Sequence, residues 1–402
     1  MTRAVLASLG RWSTVSLCGI AACWLTGCAS APPAPDARLL LDDAAFGPPV
    51  EILTGDAVTA PSPAMRQFAA RLAAQAPRQR DLRTTLMDAM HRSDQLQLHY
   101  DSSSTRTAAQ AFDARAGNCL SLVLMTGALA KELGMAVTYQ VVSNEQDYSR
   151  HGALVFASGH VNLVLGRAIG TVATMSHLAH DADREMTVDF LPNQDLAGQR
   201  VEPVGEVTVR AMFMNNRAAE VLAQGEGEGQ TRAAYWWARQ SVLLDPSFLP
   251  GINTLGVVYL RQGRWLQAEA VFKRVLQQDS RQISALTNLV RTLQAQGRSP
   301  EAEPWAATLG ALQPDPPFRK LDQGRAALIA GDTATARDLF LAELRQQPYQ
   351  PEVHHWLAVA LARLGDIDRA ARHLALAVNH STTAAAHDLY AAKLERLRQA
   401  PK

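Results

Sequence analysis

Cys119 is the side chain of this sequence best suited to act as a nucleophile. It lies in residues 112–134, FDARAGNCLSLVLMTGALAKELG. Residues 105–115 read as a short helix with Ala108, Ala111 and Phe112 on one face, and Ala116-Gly117-Asn118 breaks it. A second, apolar helix is predicted to begin at or just after Cys119 and to run through Leu122, Leu129 and Leu133 to Gly134, where glycine is a natural stop. The thiol then sits at a helix N-terminus, where unpaired backbone N–H groups and the helix dipole favour thiolate over thiol. A structural cysteine more often lies mid-helix on the apolar face. A thiolate so placed can attack a carbonyl carbon, and the Cys119 backbone N–H is a candidate donor to the resulting oxyanion.

Whether that thiol stands alone depends on the N-terminus. Arg3 and Arg11 precede an apolar run over residues 12–25, followed by Gly27, Cys28 and the small residues Ala29-Ser30-Ala31. Charge, length and small-residue exit are those of a secretory signal. The ending Leu25-Thr26-Gly27-Cys28 resembles the lipobox of bacterial lipoproteins, which implies cleavage before Cys28 and lipid on its sulfur. Cys18 and Cys23 would leave with the signal, and Cys119 would be the one remaining free thiol. Ala29 resembles the outer-membrane sorting signal of diderm bacteria, so the expected location is the periplasmic face of the outer membrane. Residues 31–36, APPAPD, read as a spacer, and residues 28–59 as lipidated tether and linker. After the signal no apolar run is long enough to span a bilayer, so the body is expected to be held by its lipid alone.

A length of 402 residues with 47% apolar content suits two or three domains with real cores. A formal charge of +1 and the lack of a basic cluster argue against a nucleic-acid partner.

The elements around Cys119 follow from local pattern. Ser62-Pro63 looks like an N-cap with proline in the first turn, ahead of Met65, Phe68, Leu72 and Ala73 at helical spacing. A second helix is expected near residues 81–90, and the alternation of residues 95–100, QLQLHY, predicts a short strand with His99 on its polar side. After Gly134 the period changes: residues 136–142, 160–165 and 185–191 read as three antiparallel strands, a meander packed on the Cys119 helix.

The pattern R-x-GNCLS at residues 115–121, an apolar helix, a strand opening with histidine and a strand containing aspartate resemble the transglutaminase-like fold, shared in rearranged order by papain-type cysteine hydrolases. The resemblance covers residues 60–204 and implies a Cys-His-Asp triad of Cys119, His160 and Asp189. In those roles Cys119 attacks an amide, His160 stabilises the thiolate and protonates the leaving amine, and Asp189 orients the imidazole. His151 competes with His160 but lies among polar residues, whereas His160 leads into a strand; Asp181 and Asp183 compete with Asp189 and read as loop acids. Gln140 and Asn118 are open possibilities for a second oxyanion donor. His177, His180, Asp181 and Asp183 mimic a metal site but read as a solvated loop, so no metal is expected. No cofactor is implied, and no acidic calcium loop is visible. The departure from the family is the long insertion between His160 and Asp189.

Beyond residue 204 a repeat takes over. Gly229, Gly263, Gly297, Gly331 and Gly365 recur every 34 residues, as do Ala234, Ala268, Ala302, Ala336 and Ala370, with Pro246, Pro314 and Pro348 in a third column where Ser280 fills the gap. Glycine at the inter-helix turn, alanine at the helix contact and proline at the exit resemble the tetratricopeptide repeat. That implies five units, 215–248, 249–282, 283–316, 317–350 and 351–384, and a capping helix within 385–402 with Lys393, Glu395 and Arg396 on its outer side. Pro304 predicts a kink or loose turn in the third unit.

The expected fold class is therefore an α+β transglutaminase-like domain, helices plus a small antiparallel sheet, followed by an all-α tetratricopeptide solenoid. The expected function is amide hydrolysis or acyl transfer on a peptide or protein, with the repeats binding substrate or a protein partner. The alternative is a non-catalytic envelope adaptor in which both parts only bind.

Overall fold

The computed structural model describes residues 36–50, 52–76, 81–92, 94–143, 148–151, 154–157, 159–168, 185–190, 200–225 and 227–399. The signal-like segment, Cys28 and the group His177, His180, Asp181 and Asp183 lie outside the described residues.

Three helices lead in: α1 (Gly55–Thr59), α2 (Pro63–Gln75) and α3 (Leu82–His91). Ser62 Oγ accepts from the Met65 N–H at 3.2 Å and Asp81 accepts from the Arg83 N–H at 2.9 Å, so both longer helices start on their caps. The strand of residues 95–100 shrinks to β1 (His99–Tyr100), because the amides of Leu96 and Leu98 are taken by the carbonyls of Ala89 and Met90 at the end of α3. His99 is exposed. Thr107 opens α4 (Ala108–Ala114) with a capping box completed by Gln110. Then β2 (Ala116–Gly117) pairs in parallel with β1, and α5 (Cys119–Glu132) begins.

Helix α5 is buried from Leu120 to Ala130, as a helix apolar on all sides must be. Beyond Gly134 come β3 (Met135–Ser143), the hairpin β4 (Tyr148–His151) and β5 (Leu154–Ala157), β6 (His160–Ala168), β7 (Glu185–Val188) and β8 (Arg200–Val204). The main sheet has the order β7-β6-β3-β8 with antiparallel neighbours. The expected meander is thus interrupted: β4 and β5 pair with each other, and β8 returns to the far side of β3. Alternation turns Tyr139, Val161, Leu163 and Leu165 into the core shared with α5.

Ten helices then pair in sequence: α6 (Glu206–Gln224) with α7 (Glu228–Leu244), α8 (Leu249–Arg261) with α9 (Trp265–Gln278), α10 (Ile283–Ala295) with α11 (Ser299–Leu312), α12 (Arg319–Ile329) with α13 (Thr333–Gln346), and α14 (Pro351–Arg363) with α15 (Ile367–Asn379). Helix α16 (Ala384–Gln399) follows and packs on α15. Gly263, Gly297, Gly331 and Gly365 all adopt φ between 71° and 87° at the turns, a backbone state that glycine enters without steric cost. Gly229 departs from the column, lying instead in the first turn of α7.

Helix α11 continues through Pro304 without breaking but buries only Ala302. The apolar interior divides there, one cluster ending at Ala302 and the next starting at Phe318. Lys393 is not on the outer side of α16, since its Nζ donates to His355 Nε2 at 3.0 Å. Nor are residues 36–50 a free linker. Phe46 stacks on Tyr235 with ring centroids 3.8 Å apart, Tyr259 donates to the Leu40 carbonyl, and Asp42 and Asp43 pair with Arg264 and Arg239.

Candidate active site

Cys119 is the first residue of α5 and is half-buried, a free thiol. The backbone reaches it through a tightly held loop. Arg115 ends α4 in the left-handed conformation at φ 53°, turning the chain into β2. The Arg115 and Gly117 carbonyls accept from the amides of His99 and Asp101, each at 2.9 Å. Gly117 is required by close approach, since a Cβ there would lie 2.6 Å from Ser121 Cβ.

Asn118 caps α5: its Oδ1 accepts from the Ser121 N–H at 2.9 Å and the Ser121 hydroxyl at 2.7 Å, and its Nδ2 donates to Thr105 Oγ1 at 2.8 Å. These bonds make Asn118 the cap of α5 and use one of its two amide N–H groups. The rest of the bracing comes from Arg106, whose N–H donates to Ser121 Oγ at 2.8 Å while its guanidinium pairs with Asp101.

His160 opens β6 and is 3% exposed. Its Nε2 lies 2.8 and 2.7 Å from the two carboxylate oxygens of Asp189. Nδ1 is buried without a hydrogen-bond partner, and Cys119 is near enough to the ring to act on its charge. Burial opposes charge on this ring, but the Asp189 bond, and after it the neighbouring Cys119, outweigh burial and raise the His160 pKa to about 9. The structure therefore gathers Cys119, His160 and Asp189, and the imidazole in their midst holds its proton at neutral pH.

Sheet register explains how Asp189 arrives. Leu163 pairs with Val188, so the next antiparallel step sets Asp189 opposite Asn162 and diagonal to His160. Asn162 was not among the expected site residues. It is 4% exposed, and its Nδ2 donates to Asp189 Oδ2 at 3.2 Å. The signal was available in the sequence: two positions past a histidine in an alternating strand is the same face. Gln140 pairs across β3 and β6 with Asn162 and is half-buried.

His151 ends β4, which pairs with β5 in a separate two-stranded sheet. Among the described residues no group of three or more His, Cys, Asp or Glu side chains is arranged to hold a metal ion. A cleft of about 680 Å³ opens beside the bracing loop, lined by Thr105, Arg106, Gln110, Phe213, Arg217 and Trp237. It borders the cap of α5 but does not include Cys119 or His160.

Two stretches match family models described as tetratricopeptide repeat, residues 259–323 and 351–375. The C-terminal region is built of tetratricopeptide repeats. Solved structures of such proteins are among those the chain is similar to. A thermophilic repeat protein of Thermus thermophilus is 16% identical over 46% of this chain and 99% of its own, with a TM-score of 0.28. YrrB, described as having an unusual peptide-binding site, is 18% identical over 46% of this chain and 92% of its own, at 0.24. PilF of Pseudomonas aeruginosa is 22% identical over 48% and 93%, at 0.25. Likeness at this level carries nothing about the activity of this chain. No curated protein matches it. Among the described residues no helix is long and apolar enough to cross a membrane.

Proposed function

We propose that this protein is a cysteine hydrolase or acyltransferase of the transglutaminase-like type, acting on amide bonds of a peptide or protein that its repeats help to recruit. The observation that carries this reading is the imidazole of His160, bonded through Nε2 to Asp189 and held protonated to about pH 9 in the neighbourhood of Cys119.

In the proposed cycle the Cys119 sulfur adds to the carbonyl carbon, and the oxyanion forms beside the N–H groups at the start of α5. The C–N bond then breaks as His160 Nδ1 gives its proton to the leaving nitrogen, leaving a thioester and a neutral imidazole. Water or an amine attacks the thioester carbon as Nδ1 takes back a proton, the C–S bond breaks to return the Cys119 thiolate beside the imidazolium, and the acid or new amide departs. Asp189 keeps the ring in the tautomer that frees Nδ1. In the same reading Cys28 carries lipid and holds the body at the periplasmic face of the outer membrane.

The test is the rate of iodoacetamide labelling of Cys119 against pH, in the lipid-free mature protein and in His160→Ala. The expected result is rapid labelling at pH 7 that slows about tenfold or more in the variant, with the two rates converging above pH 9. Equal rates that rise together near the free-thiol value of about 8.5 would give the protein to a second reading, the non-catalytic adaptor. That reading is favoured by one observation: the stretches that match a known family are those of the binding array.

A further inference from the structure

We propose that Asn162 is a positioning residue that fixes the Asp189 carboxylate against His160. This rests on the reading of Cys119, His160 and Asp189 as a working group.

Asn162 lies on β6 two residues beyond His160 and shares its face of the sheet. Its Nδ2 donates at 3.2 Å to the same Asp189 oxygen, Oδ2, that stands 2.7 Å from His160 Nε2. His160 Nε2 also lies 2.8 Å from Oδ1. The holders of this carboxylate thus include the ring it serves and an amide on the next position of the same strand face. Asp189 follows β7 at once, where the described strand has already ended.

The energetics of Asn162 itself support a role beyond packing. The side chain is 4% exposed and its Oδ1 has no hydrogen-bond partner. An amide buried with half of its capacity unused costs free energy that an aliphatic side chain there would not. Val164, two residues further on the same face, is such a side chain and is 6% exposed. Aspartate would fit the space of Asn162 but would set a second carboxylate against Asp189, where the two could not both ionise freely. A neutral donor leaves the whole negative charge on Asp189, where it holds the imidazolium.

The experiment compares full-length mature protein with Asn162→Leu and Asn162→Asp, reading the NMR titration of His160, the pH profile of Cys119 alkylation and the melting temperature. In Asn162→Leu the His160 midpoint is expected to fall by about one pH unit, a tenfold loss of proton affinity, with slower alkylation at pH 7. In Asn162→Asp the His160 titration is expected to become two-step, because the paired carboxyls share a proton before the second ionises. A changed melting temperature with both pH profiles intact would overturn the proposal and make Asn162 a packing residue. If Asn162→Leu does not fold, a single-step, wild-type titration in Asn162→Asp overturns it equally. A wild-type protein whose His160 titrates near 6.5 would overturn the reading of the triad and this role together.

Discussion

Replacing Asp189 by asparagine should weaken the fold at low pH and not at high pH. The side chain stays isosteric and its Oδ1 can still accept from a neutral imidazole, so the change removes charge more than shape. His160 rises from 6.5 to about 9 in the folded protein because the Asp189 bond, then Cys119, overcome the burial that would lower it. A rise of that size is worth about 3 kcal/mol at about 1.4 kcal/mol per pH unit. Asp189 stands ahead of Cys119 among its causes, so about 2 kcal/mol should depend on the carboxylate. The sign follows from a raised pKa: the contribution is complete below pH 6.5 and disappears as pH climbs through about 9. Urea denaturation of wild type and Asp189→Asn, followed by circular dichroism from pH 6 to 10, should give a stability gap of about 2 kcal/mol at pH 6 that closes by pH 10. A gap that stays constant, or opens as pH rises, would refute a charged His160–Asp189 pair.

Glu343→Ala should be among the most damaging changes in the array. The carboxylate is fully buried and accepts from the backbone amides of Phe318, Lys320 and Leu321 at 2.7, 3.1 and 3.3 Å, the cap that α12 lacks from its own flanking residue. About 3 kcal/mol of local stability should go with it, read as faster hydrogen exchange at residues 318–321, while α8 and α9 keep their protection. Cys28→Ala should move the protein from the membrane to the soluble fraction of a producing diderm bacterium; continued membrane association would set the lipid-anchor reading aside.

The features that sequence makes plain here are those carried by local pattern. The Ser62 and Asp81 caps, the glycine that stops α5 and the left-handed glycines of four repeat turns each follow from short-range chemistry. The start of α5 at Cys119 belongs with them, because a glycine and a capping asparagine precede it. What escaped depends on register or on distant partners. Asn162 needed the β6–β7 pairing before its amide could be seen beside Asp189. Glu343 occupies the apolar seam of a helix and is explained only by three amides more than twenty residues earlier. Phe46 lies in a stretch whose local pattern names no element, and its place is explained only by Tyr235 and Tyr259 brought against it. Gly229 was misplaced because periodicity alone treated the first unit like the rest, whereas its turn comes earlier, before Glu228.

How the two halves are joined bears on whether a peptide bound by the repeats could reach Cys119. Helix α6 belongs to both interiors: Val209, Phe213 and Met214 lie in the core of α5 and the sheet, while Ala218 and Leu222 lie in the core of the first repeats. A helix buried at both ends in different cores cannot swing without opening one of them, so the first repeats are fixed with respect to the sheet. A second connection comes from the far end of the array. Ser102 donates through its amide to the Thr382 carbonyl at 2.8 Å and through its hydroxyl to Thr382 Oγ1 at 2.7 Å. Its neighbour Asp101 donates to the Gly117 carbonyl, two residues before Cys119. The array thus leaves the cysteine-bearing half through α6 and returns to it at the loop that braces the thiol. These two attachments differ in strength: the first is apolar and buried, and the second is a set of exposed hydrogen bonds worth about 1 kcal/mol each at most. Any motion between the halves should therefore begin at Ser102, next to the backbone that positions Cys119, and leave α6 in place.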